Sequence, residues 1–155
     1  MANIRLIKPG DNKKLADFLS IISRDDNIKK FFHPHPLTKE QAEKICQAAS
    51  QRKDLYFIAV EGNKIIGYAM LRGWDEGYDT PSFGICVRPE YQGRGIGKKL
   101  TNYAFDLCRE KKSKKMMLKV YKDNLVACKL YKKIGFNFTN ETDDKKQWVG
   151  YLNLE

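Results

Sequence analysis

The apolar positions of this chain change period several times, and each change marks an element. Leu15, Phe18, Leu19 and Ile22 recur at helical spacing, with Asp11 or Asn12 placed to cap that helix. Thr38 and Gln41 form a capping-box pair for a second helix, with Ala42, Ile45, Cys46 and Ala49 as its inner stripe. Short, dense apolar runs then replace the helical period. Residues 56–60 and 64–71 flank Glu61, Gly62 and Asn63, the turn of a hairpin. After a polar, glycine-containing stretch at 73–81, a run at 83–87 leads into a helix with Leu100, Ala104, Leu107 and Cys108 on one side. Residues 116–120, 136–140 and 148–154 read as strands, and a helix opening at Asn124 separates the first two. With a strand before Asp11, the predicted order is β-α-α-β-β-β-α-β-α-β-β, an α/β sandwich with a mixed sheet and no internal repeat.

The junction VRPEYQGRGIGKKL, residues 87–100, carries the most chemistry. A strand runs through Gly93, Gly95 and Gly97 into a basic helix, and the first amides of a helix have no internal partner. They point at whatever lies beyond the helix N-terminus, where the dipole is positive, so an anion completes the site. The glycines admit positive φ and close approach of a ligand, and Arg94, Lys98 and Lys99 add charge. A P-loop is excluded because Gly97 is followed by Lys98 and Lys99 instead of Lys and a hydroxyl residue. A dinucleotide fingerprint counted from Gly93 and Gly95 places Lys98 where its third glycine belongs.

What remains is Gln92-x-x-Gly95-x-Gly97, which resembles the acetyl-CoA pyrophosphate loop of the GNAT superfamily of N-acetyltransferases. A second block, NLVACKLYKKIGF, with Asn124, Ala127, Tyr131, Gly135 and Phe136, resembles the second cofactor motif of that superfamily. The resemblance runs from about Ile4 to Leu154, is weakest over the first fifty or so residues, and includes the order of elements. It implies a seven-stranded, mixed and mostly antiparallel sheet flanked by four helices. It also implies that two central strands splay beside the glycine loop to admit the pantetheine arm, whose partners would be backbone groups near Ile85 and Val87. The cofactor residues would then be Ile85, Val87, Gln92, Gly93, Arg94, Gly95, Ile96, Gly97, Lys98, Asn124 and Tyr131.

Acetyl transfer to an amine requires a neutral amine, a donor for the thioester oxygen and an acid for the departing thiolate. Tyr131 suits the acid, because an unperturbed phenol titrates near 10, comparable with an alkyl thiol. It can also be read as the polar rim of a core helix. The oxyanion donor is expected among the backbone amides of 85–87. For the base, Asp79 precedes the strand where relatives that acetylate amines carry an acid, and Glu76 or Asp75 reaches the same region; an ordinary solvated turn reads equally well. His33 and His35 of FFHPHPLT sit on a proline-stiffened segment and are candidates for acceptor contact or for the base. Phe31, Phe32, Tyr56, Trp74 and Tyr78 are candidates for the acceptor wall. No metal is expected, since the two histidines lack further ligands at matching spacing. Cys46, Cys86, Cys108 and Cys128 fall on apolar faces without paired spacing and read as reduced core residues, Cys86 included.

Composition narrows the partners. The 155 residues, 42% hydrophobic, suit one domain spanning 1–155 with its own core. No apolar run reaches the roughly eighteen residues of a membrane span and the first ten residues lack a signal-peptide core, so the expected location is the cytoplasm. A formal charge of +10 favours anionic ligands. Lys111, Lys112, Lys114, Lys115, Lys129, Lys132 and Lys133 follow or lie on the two motif helices, where some can meet the 3′-phosphate of coenzyme A. Nucleic acid is not expected, because no recognition motif accompanies the charge. The reading is an N-acetyltransferase using acetyl-CoA and no metal, with direct attack by a primary amine, either a small amine or a nucleotide-linked amino sugar. Acetylation of a peptide or protein N-terminus or a lysine is the alternative, and a non-catalytic acetyl-CoA sensor is a second. Either a monomer or a homodimer is compatible, the latter through Trp148 and Val149 on the closing hairpin.

Overall fold

The computed structural model describes residues 2–155. Strand β1 (Asn3–Leu6) is followed by helices α1 (Asn12–Ile22), α2 (Asp26–Phe31) and α3 (Lys39–Gln47). The hairpin β2 (Leu55–Glu61) and β3 (Lys64–Arg72) leads to β4 (Ser82–Val87), α4 (Ile96–Glu110), β5 (Lys115–Tyr121), α5 (Leu125–Ile134), β6 (Asn137–Glu141) and β7 (Gln147–Asn153). The strands form one seven-stranded sheet in the order β1-β2-β3-β4-β5-β7-β6, antiparallel everywhere except between β4 and β5.

Period-two alternation sends each strand to two cores. Phe57 and Ala59 of β2, with Ala69 and Leu71 of β3, join Leu100, Ala104, Leu107 and Cys108 of α4 and Cys128 of α5 in one cluster. Ile58 of β2, with Tyr68 and Met70 of β3, joins Leu15, Phe18, Leu19 and Ile22 of α1 and Ile45 and Cys46 of α3 in the other. Strand β3 is therefore apolar at consecutive positions, as a strand covered on both faces must be.

Two helix starts differ from expectation. Among the described residues there are five α-helices, not four: α2 occupies six residues, too few to show a helical period, and is capped by the Asp25 carboxylate, which accepts from the Ile28 amide at 3.0 Å. Neither Asp11 nor Asn12 gives α1 a side-chain cap. Both Asp11 carboxylate oxygens take 2.7 Å hydrogen bonds from Arg5, and one also accepts from the Lys8 amide at 2.8 Å. The carboxylate thus fastens β1 to the turn before α1, and the Arg5 guanidinium holds its pKa below the usual range. Thr38 caps α3 as expected, accepting from the Gln41 amide at 3.2 Å.

Helix α4 reaches the sheet over Gly67 of β3. A Cβ there would lie 2.9 Å from Leu100 and 3.1 Å from Ile96, the first residue of α4. The missing side chain thus sets how closely the start of α4 approaches the sheet. Gly67→Ala should lower unfolding stability by about 1–3 kcal/mol through overpacking, read as an earlier denaturation midpoint at unchanged slope.

Candidate active site

Strands β4 and β5 run parallel and share one register pair, Ser82 with Met117, beside a 2.9 Å bond from the Met117 amide to the Pro81 carbonyl. Beyond it they diverge. A cleft of about 620 Å³ fills the gap, floored by Phe83, Gly84, Ile85, Cys86 and Val87 and walled on the other side by Lys119, Val120 and Tyr121. The edge of β4 beyond Ser82 has no strand partner on this side, so the amides and carbonyls of alternate residues, those not bonded to β3, face the cleft.

At one end Gln92 and Gly97 line the cleft, and the Gln92 side chain donates to the Val87 carbonyl at 3.2 Å. Gly93 and Gly95 have φ of 79° and 82°, and Gly95 is the N-cap directly before α4. Gly97 differs from expectation: it lies inside the helix without positive φ, and a Cβ there would meet Ile85 at an ordinary 3.8 Å. Its role is to leave the cleft wall bare. The first bond of α4 runs from the Lys99 amide to the Gly95 carbonyl at 3.1 Å, so the amides of Ile96, Gly97 and Lys98 precede the helical ladder and present three donors.

The far wall comes from α5. Asn124 caps it, accepting from the Ala127 amide at 3.3 Å, and lines the cleft with Ala127 and Tyr131. Tyr131 meets buried Phe136 edge-on at 5.7 Å, and its carbonyl accepts from the Gly135 and Phe136 amides. Burial raises the Tyr131 pKa above its ordinary value, with the Cys86 thiol adding to the effect. Burial likewise pushes Cys86 up to about 12, so it stays a thiol at neutral pH. Exposed Leu125, Val126 and Leu130 give the cleft an apolar outer lip.

The acidic candidates are not brought here. The loop at 73–81 sits at the closed end, where β4 and β5 are bonded, because it runs into β4 just before Ser82. Asp79 and Glu76 are exposed and line no part of the cleft, and the Asp79 carbonyl faces Ser113 beyond α4. The Asp75 carboxylate accepts from the Lys53 and Asp54 amides at 2.7 and 3.2 Å, and the Lys53 bond above all lowers its pKa. The carboxylate that does line the cleft is Asp123, 3.5 Å from Lys30. The sequence signal for it was its place directly before Asn124.

His33 and His35 also part. His33 is exposed, bonded to the Lys30 carbonyl at 3.0 Å and edge-on to Tyr121 at 6.1 Å between ring centres, at the margin of the cleft. His35 turns the other way. Its Nδ1 donates to the Pro36 carbonyl at 2.8 Å, which leaves Nε2 to accept from the Tyr68 hydroxyl at 2.8 Å. With Arg72 donating to the Pro34 carbonyl at 2.7 Å, it pins the FFHPHP segment to β3. Phe31 and Phe32 line the cleft with Ile28 of α2, whereas Tyr56 stacks on Tyr68, Trp74 packs on the α4-side core and Tyr78 is exposed. Among the described residues no three His, Cys, Asp or Glu side chains stand together as metal ligands.

Free amides at a helix start, opening onto a gap between parting parallel strands, are the arrangement that the resemblance to the GNAT superfamily implies. The model of the Acetyltransferase (GNAT) family matches residues 20–136, and the chain belongs to that family. It is 37% identical to the spermine/spermidine N(1)-acetyltransferase of Bacillus subtilis over 134 residues, 77% of this chain and 87% of that protein. It is 36% identical to the [ribosomal protein bS18]-alanine N-acetyltransferase of Haemophilus influenzae over 89 residues, 57% of each. The match spans little more than half the length of the bS18-alanine acetyltransferases. The fold is that of a GNAT-family acetyltransferase from Streptococcus pneumoniae, with a TM-score of 0.81 at 20% identity over the whole of both chains. No helix of the described residues is long and apolar enough to cross a membrane.

Burial pushes the His35 imidazole below its usual pKa, and Arg72 adds to this against the opposing hydrogen bond to Pro36. The neutral ring is therefore favoured in the fold. Its contribution to stability is complete above the unfolded value of about 6.5 and is lost as pH falls through the folded value. Denaturation midpoints of the wild type should decline from pH 7 towards pH 5, and His35→Gln should flatten that decline at a cost of about 1 kcal/mol at pH 7.

Proposed function

We propose that this protein is an acetyl-CoA-dependent N-acetyltransferase acting on a primary amine. The observation that carries the reading is the parting of β4 and β5 after a single bonded pair, with free amides of α4 at one end of the gap and Tyr131 inside it. The names of the two relatives above both specify a primary amine as acceptor, one a polyamine and the other an alanine of a protein.

Acetyl-CoA supplies a thioester that a neutral amine attacks, leaving an amide and the coenzyme thiol. The residues fit that cosubstrate. The amides of Ile96, Gly97 and Lys98 bind pyrophosphate oxygens, and Gly93 and Gly95 let the backbone curve around them. The unpaired edge of β4 at 84–87 offers backbone partners to an amide-bearing arm, as a missing strand would, and orients the acyl carbonyl towards a backbone donor. Asn124 marks the opposite wall. Asp123 takes the proton that the acceptor ammonium must lose, directly or through water, and passes it to solvent.

Tyr131 holds a proton at its hydroxyl for the departing sulfur. Burial raises its pKa and raises that of a thiol in the same direction, as Cys86 shows.

The first test is amine-dependent release of coenzyme thiol from acetyl-CoA, with the acetylated product seen by mass; thiol release that no amine accelerates would refute the reading. Tyr131→Phe should lower kcat by about 10²-fold with little change in the KM for acetyl-CoA, and undiminished turnover at alkaline pH would remove the acid role. Gly95→Asp places a carboxylate against phosphate and should weaken coenzyme A binding at least about tenfold more than Gly95→Asn, which shares its backbone strain but not its charge.

A further inference from the structure

A second cavity, of about 450 Å³, opens beside the cleft between the end of α2, the end of β5 and the β6–β7 turn. Phe31, Tyr121 and Asp123 line both spaces, so the two are adjacent, with the Phe31 and Tyr121 rings 5.9 Å apart at their shared boundary. The rest of the lining is Lys30, Lys122, Lys145 and Lys146. We propose that this cavity is an anion site for a phosphate carried by the acceptor, so that the substrate class is a phosphorylated primary amine. The proposal rests on the transferase reading above and deepens it.

The charge balance points to an anion. Lys30 is offset by Asp123 at 3.5 Å, and Lys122 pairs with Glu141 while lying 4.3 Å above the Trp148 ring. Lys145 and Lys146 form no ion pair within 4 Å among the described residues, and the cavity lining holds four lysines against one carboxylate, Asp123. Of the acids of the same turn, Asp144 offsets part of the Lys146 charge from outside the cavity, and neither Asp143 nor Asp144 lines it. An Asp144 oxygen is engaged by the Thr142 hydroxyl at 2.6 Å and the Lys146 amide at 3.0 Å, which ties the turn into one shape. Lys145 stands at φ 62°, where glycine would be less strained.

The position separates this site from the coenzyme's own phosphates. Gln92 and Gly97 of the glycine loop line the cleft on the β4 side, whereas the lysine cavity lies past the end of β5, and no residue of that loop lines it. A ligand whose amine reaches the cleft and whose phosphate enters this cavity approaches from the α2 side. Ammonium groups on a phosphate dianion form charge-assisted hydrogen bonds, and the same charges repel a polyamine.

The experiment compares acetylation of matched amines, ethanolamine with O-phosphoethanolamine and glucosamine with glucosamine 6-phosphate, alongside spermine. The phosphorylated member of at least one pair should have a kcat/KM about tenfold higher or more, the scale expected for two partly exposed charge-assisted contacts. In Lys145→Gly/Lys146→Ala, whose glycine relieves backbone strain, that preference should fall below about threefold with the acetyl-CoA KM unchanged. A wild type that favours spermine or the unphosphorylated amines overturns the proposal. So does a double variant whose loss appears in the acetyl-CoA KM, which would assign the lysines to the coenzyme. Inorganic pyrophosphate titrated into protein saturated with coenzyme A should bind, and bind at least about fivefold more weakly to the double variant. If no amine is acetylated while that weakening is seen, the transferase reading fails and the anion site stands. If amines are acetylated but pyrophosphate binds both proteins equally, the anion site fails and the transferase reading stands.

Discussion

The backbone between β4 and β5 sets everything else. Parallel strands held through Ser82 and Met117 alone, and then allowed to part, leave a row of peptide groups in the middle of a sheet with no strand to satisfy them. Such groups are costly when buried without partners, so the gap must be open to water or to a ligand that supplies them. The structure keeps it open by attaching each strand firmly on its other side: β4 to β3 over six residue pairs and β5 to β7 over seven. Each half of the sheet is rigid by itself, and the opening lies at their seam.

The two sides of the seam's open mouth are built from different physics. On the β4 side the charge is backbone charge, from unpaired amides and the dipole of a helix whose start is seated over Gly67. On the β5 side it is side-chain charge, four lysines around a pair of aromatic rings. Between them lies an apolar stretch of Phe83, Ile85, Cys86 and Val120, where titrating groups are shifted towards their neutral forms.

Much of this could be read in the residues, and the losses have physical causes. The glycine loop, the Asn124 cap and Tyr131 were legible because each depends on local chemistry: a positive φ at Gly93 and Gly95, an accepting side chain at a helix start, a phenol one helical face away. The acids at 75–79 misled because proximity in sequence to β4 was taken for proximity to the cleft, whereas they sit at the bonded end of the strand and the opening is at the other. His33 and His35 are two residues apart yet face different environments, since the backbone between them crosses from the cleft margin onto β3. Helix α2 was missed because six residues cannot show a period, although the acidic cap at Asp25 was there to be seen.

The sequence by itself determined the order of strands and long helices, the glycine-rich loop before α4 and the apolar faces of α1, α3 and α4, because these follow from periodicity and from the φ and capping demands of single residues. Only the tertiary structure decided where the β4–β5 seam opens, which carboxylate enters it, and that Lys30, Lys122, Lys145 and Lys146 share one cavity. Those residues come from segments more than a hundred positions apart. Their meeting depends on sheet order, with β7 lying between β5 and β6, and long-range pairing of that kind leaves no mark in any local pattern.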